Sequence, residues 1–160
     1  MIYKKSWKYI LIKDDTNFCR RINLYRVKSL KDFSDVHKGD IGGYIEGYHN
    51  LSRKGNCWIY DKAWVRGNAK VSEDAKISDY ADIKEYAQVF GNAWIMDVVK
   101  VFGHAQIFEN AKVDGKAKIR DNAKVFGNAI ISGYTELSGY VKIGGNSNIK
   151  DKNVTKGVYK

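Results

Sequence analysis

From Ile59 to Ile149 every sixth residue is aliphatic, sixteen in unbroken succession. Two residues before each stands a small residue, Cys57 and then mostly alanine (Ala63, Ala69, Ala75 and onward), with Val99, Thr135, Val141 and Ser147 as exceptions. Two residues after each stands Gly, Asp or Glu in all sixteen cases, from Asp61 to Asp151. A period of six does not fit the 3.6-residue turn of a helix, and Val and Ile with recurrent glycine disfavour one. Residues two apart share a face of a strand, so the small and aliphatic series point inward together. The Gly/Asp/Glu position, followed by Asn in pairs such as Gly67-Asn68 and Gly91-Asn92, turns a corner. Three six-residue sides close a triangular coil of 18 residues, and stacked coils pair as parallel strands about 4.8 Å apart. A single coil buries no core, so stability comes from stacking.

The motif, as in Val65-Arg66-Gly67-Asn68-Ala69-Lys70, resembles the hexapeptide repeat of left-handed parallel β-helix proteins. The resemblance spans about 100 residues and implies an all-β fold: a triangular solenoid behind a small N-terminal β cap. The left hand is implied by the family, since crossovers between parallel strands are otherwise right-handed. Gly39-Asp40-Ile41-Gly42-Gly43-Tyr44-Ile45-Glu46 resembles a leader found in small bacterial and prophage hexapeptide-repeat proteins, and implies a setting more than an activity. The chain divides into a β leader or cap (1–50), the solenoid (51–151) and a Lys-rich C-terminal tail (152–160). Trp7–Lys13 and Arg21–Val27 read as strands joined by the turn Asp14-Asp15-Thr16-Asn17.

Function has to lie on the outward rows, where residues 18 apart stack. One face carries Phe90, Phe108 and Phe126 beside Gln88, Gln106, Lys70, Lys124 and Lys142. A second carries Arg66, Lys84, Phe102, Arg120 and Ser138 beside Trp64, Asp82, Lys100, Lys118 and Glu136, and the third carries Trp58 and Tyr60, Lys76, Trp94 and Met96, Lys112 and Ile130. Stacked aromatics on a flat face are an apolar patch that a monomer rarely leaves uncovered. Phe90, Phe108, Phe126, Trp58, Trp94 and Trp64 are therefore the candidate interface residues. The resemblance implies a homo-oligomer, a trimer before a dimer. Base stacking on the phenylalanines is the alternative.

The net charge of +10 is uneven, with 12 basic and 6 acidic residues in 1–56 against 16 and 12 in the remainder. Arg20, Arg21 and Arg26 in the leader, with Arg66, Lys84, Lys100, Lys118 and Arg120, form the candidate basic surface for an acidic or nucleic-acid partner. Two cysteines build no disulfide framework, no apolar run approaches a membrane span, and a bacterial cytosol is the expected compartment.

Many hexapeptide-repeat proteins are acyltransferases that use a histidine base and a loop breaking the repeat. Here the repeat has no such loop, and His104 at a corner is the weak catalytic candidate. No metal site and no cofactor is expected, because one solenoid histidine cannot supply the histidine trio of the γ-class carbonic anhydrases that share the fold. The reading is a binding protein of bacterial or phage origin that engages a host macromolecule, such as a defence or nucleoprotein complex. An acetyl-CoA-type acyltransferase and a self-assembling structural element are the alternatives.

Overall fold

The computed structural model describes residues 7–13 and 22–160. The chain is an all-β parallel solenoid of 18-residue coils, the architecture of the left-handed β-helix, and no helix occurs among the described residues. Strand pairing repeats at that spacing: Trp94 lies opposite Lys112, Lys100 opposite Lys118 and Gln106 opposite Lys124. Three sheets result, one per face of the prism. The aliphatic series from Ile59 to Ile143 and every alanine of the small series are at most 1% exposed, and Ile149 at the end is 8% exposed. The interior is thus a stack of Ile, Val and Leu wedged between alanines.

All sixteen corner residues of the Gly/Asp/Glu series have positive φ, Asp97 at 59° and Gly91 at 67° among them. That explains the glycines but not the acids, since a side chain in the left-handed region costs about 1–2 kcal/mol. The acids have a second task. Where a corner carries an acid, its carboxylate accepts the N–H of the corner residue in the next coil. Glu73 Oε2 takes the Gly91 N–H at 2.8 Å, Glu85 Oε2 that of Gly103 at 2.8 Å and Asp121 Oδ2 that of Gly139 at 2.9 Å. On a third corner Asp79 Oδ2 accepts from Asp97 at 3.1 Å, and Asp97 Oδ2 accepts from Gly115 at 2.9 Å. Two corners alternate acid and glycine, as in Glu73, Gly91, Glu109, Gly127. A Cβ at Gly91 would meet the Glu109 backbone nitrogen at 2.6 Å, so the glycine is required there.

The N-terminal segment seals one end. Strands β1 (Tyr9–Lys13), β2 (Tyr25–Ser29) and β3 (Ile41–Ile45) join antiparallel, and β3 then pairs parallel with Trp64–Val65, so it belongs to both cap and solenoid. The solenoid therefore starts within the 1–50 leader. Side chains at Gly42 and Gly43 would strike the Ile59 and Ala63 carbonyls, which explains the Gly-Gly pair. Lys8, 1% exposed, closes the prism mouth: its Nζ donates to the carbonyls of Cys57 at 2.6 Å, Gly55 at 3.2 Å and Ser52 at 3.3 Å. Tyr9 adds a hydroxyl bond to the Leu51 carbonyl. First-coil carbonyls that would otherwise lack donors are paired in this way.

At the other end 152–160, expected as a tail, contributes Asn153–Val154 and Val158–Tyr159 as parallel strands. Glu136 lies opposite Asn153 and Lys142 opposite Val158, so the offset tightens from 18 to 17 and then 16 residues. Backbone pairing outweighs the lysine-rich composition, because the lysines point outward.

Candidate binding faces

The phenylalanine ladder forms, with ring centroids 5.0 Å apart for Phe90–Phe108 and 5.4 Å for Phe108–Phe126, nearly coplanar in orientation at 3° and 10°. Its rings are half-buried by one another. Phe126 also lies over Gly144, where any side chain would strike its ring. The flat ring surfaces are thus spent within the ladder, and edges face out. A base could stack only on an end ring, which removes the geometric ground for the base-stacking alternative. Flanking the ladder, the amides of Asn92, Asn110, Asn128 and Asn146 bond along the corner at 3.1–3.2 Å. Gln106 reaches Gln88 at 3.4 Å.

Two of the five cations on the basic face are neutralised from within. Arg66 forms a two-pronged pair with Asp82 in the next coil, at 2.9 and 2.8 Å. Arg120 bonds Glu136 at 2.7 Å and Asp121 at 3.0 Å. Lys84 lies 5.1 Å from the Phe102 ring centre, while Lys100 and Lys118 are exposed neighbours. Trp64 is half-buried, edge-on to Tyr44. Arg26 holds the cap down, bonding the Gly42 carbonyl at 2.9 Å and the Asp61 carbonyl at 3.0 Å over the Tyr44 ring. Arg20 and Arg21 lie outside the described residues.

On the third face Trp58, expected to be open to a partner, is 2% exposed. Phe33 and Tyr9 pack edge-on against it from the cap. Asp35 fastens that loop, accepting from Tyr60 Oη at 2.8 Å and Lys76 Nζ at 2.9 Å. The Lys76 ammonium bond holds the Asp35 carboxyl well below its ordinary value, at about 2. Beyond the loop the face opens. Trp94, Met96 and Val98 point outward from one coil, with Ile130 two coils further and Tyr80 and Tyr134 on the adjoining corner. Trp94 is 42% exposed, Val98 45% and Ile130 39%. Between them runs Lys112–Asp114–Lys116, and burial, then the Asp97 charge, raise the Asp114 carboxyl pKa. Sequence periodicity placed Trp94, Met96 and Ile130 here but missed Val98, Tyr80 and Tyr134, because these belong to the corner row.

His104 is exposed and stacks on Tyr86 at 4.9 Å and 11°. Among the described residues its ring is held by that stacking, and no side chain hydrogen-bonds it. The same residues hold no metal-binding cluster and no helix long and apolar enough to cross a membrane. Among the described residues, one open hollow lies at the last coil beside Ile149, Lys152 and Tyr159, and another between Arg26, Asp61 and Tyr80.

No family profile matches the chain. Over 43 residues it is 40% identical to an uncharacterized acetyltransferase, YdcK, of Escherichia coli (strain K12). The match covers 27% of this chain and 13% of that relative, so it bears on a short segment and not on a whole enzyme.

Proposed function

We propose that the chain is a rigid binding scaffold that works by presenting flat β-helix faces to macromolecules, itself among them. The observation that carries this reading is the exposed Trp94, Val98 and Ile130 cluster on a prism whose repeat no loop interrupts. Tryptophan, tyrosine and methionine are the residues on which contact energy concentrates. Self-association, in the trimer that the family resemblance implies, closes one such face. Light scattering of the eluting protein tests it: a mass near three chains is expected, falling to one in Trp94→Ala/Ile130→Ser. A monomer at every concentration would remove the self-association. The narrower reading, a phage or prophage product that engages a host defence or nucleoprotein complex in the bacterial cytosol, is supported by the leader resemblance and the cationic excess. It predicts that expressing the protein rescues plating of a phage that host defence restricts. Unchanged plating across defence systems would remove it.

Acyl transfer is the second reading, favoured by the 43-residue match to an acetyltransferase. His104 beside Tyr86 is then the base, completed by a cleft between subunits. Acetyl-CoA binding by calorimetry, with turnover lost in His104→Ala, would establish it; no heat with any CoA species would discard it.

A further inference from the structure

At the sealed end of the prism a lysine and a cysteine meet with no water between them. Lys8 Nζ lies 3.4 Å from Cys57 Sγ, the lysine 1% and the cysteine 0% exposed. Cys57 occupies a position that alanine fills in most coils, so packing alone does not call for sulfur. Three carbonyls hold the Lys8 nitrogen in place, which fixes it against the sulfur. The two residues lie 49 apart in sequence, one in the cap and one in the first coil.

We propose that Lys8 and Cys57 are a modification site, at which a peroxide joins cap to solenoid through a sulfur–nitrogen bond. The Cys57 thiol reacts with one hydrogen peroxide, giving the sulfenic acid and water; sulfur loses two electrons and the peroxide O–O bond takes them. The Lys8 amine then attacks that sulfur. The S–N bond forms, the S–O bond breaks, and the hydroxyl leaves with an amine proton as a second water, the condensation that sulfenic acids undergo with nitrogen. Burial makes Lys8 less basic than a surface lysine, which lowers the cost of releasing the proton that the attacking amine must lose. Burial also raises the Cys57 thiol pKa, so the first step is slow. Once formed, the sulfenic acid is shielded from further oxidant by burial and has the Lys8 nitrogen beside it.

The test uses Cys19→Ser protein, so that no disulfide imitates the product, treated with excess hydrogen peroxide. Intact mass should fall by two hydrogens, and a tryptic digest should contain a peptide joining Lys8 to Cys57. Dithiothreitol should reverse both, and the melting temperature of the joined protein should drop on reduction. Cys57→Ala, which restores the residue of the other coils, should fold and show neither change. Cys57 carrying added oxygen without the joined peptide would overturn the proposal. So would an unmodified Cys57 under conditions that oxidise the thiol of the urea-unfolded chain.

Discussion

Asp97 lets the two corner effects be measured separately. It sits at φ 59°, receives nothing from packing at its exposed corner, and accepts the Gly115 N–H at 2.9 Å. Asp97→Ala keeps the left-handed Cβ and deletes the acceptor. Losing this bond at an exposed site costs about 1 kcal/mol, nearer an ordinary bond than a charged one because water competes for the carboxylate. Alanine also tolerates the left-handed region less well than aspartate, adding a few tenths, so the total is about 1–1.5 kcal/mol. Asp97→Gly loses the same bond but recovers about 1 kcal/mol of backbone strain, offset by the greater entropy of glycine in the unfolded chain. Its expected net cost is about 0.5 kcal/mol. Urea unfolding followed by circular dichroism resolves the difference, and melting should differ by about 2–4 °C per kcal/mol in a chain of this size. Asp97→Gly as destabilised as Asp97→Ala would refute the account, because it would mean the corner stores no strain for the carboxylate to offset.

Further outcomes follow from the same geometry. Ile107→Ala, at 0% exposure in a central coil, should cost about 2–5 kcal/mol, and Ile107→Val about 0.5–1.5, by calorimetric melting. Trp94→Ala should leave stability within about 0.5 kcal/mol while lowering the scattering mass, separating contact from folding. Asp35 has a depressed carboxyl, so its bonds to Tyr60 and Lys76 are fully present above its ordinary value near 4 and are lost as pH falls to about 2. Wild type should therefore lose cap protection in hydrogen exchange over that window more steeply than Asp35→Asn, and parallel curves would refute the pairing. Gly91→Ala should destabilise more than Asp97→Ala, since its Cβ meets backbone at 2.6 Å.

The solenoid was legible because its rule is local: each six-residue side repeats the same inward pair, and every aliphatic of the series lies in the core. The corners were half legible. Gly and Asp mark a turn in one coil, but the carboxylate's task appears only when coils stack, as an alternation at 36 residues. The faces were least legible. The sequence set Asp82 and Glu136 on the same face as Arg66 and Arg120 but not which groups join, because the pairs span 16 residues, a diagonal between coils that the 18-residue register does not mark. Trp58 read as exposed because the irregular loop around Phe33 and Asp35 has no period to betray where it docks.

The regularity of the stack also sets a condition on whatever binds it. A surface that repeats every coil looks nearly the same after a shift of one rung, so a flat partner would find several docking heights of similar energy. The Asn92, Asn110, Asn128 and Asn146 rail and the phenylalanine rungs offer such sliding positions. Trp94 and Ile130 do not, because the cap buries Trp58, the other tryptophan of their row, and Lys76, Lys112 and Asn148 occupy the remaining heights. The defects in the pattern are thus its address marks, and a recognition element has to read them to stop at one place along the prism.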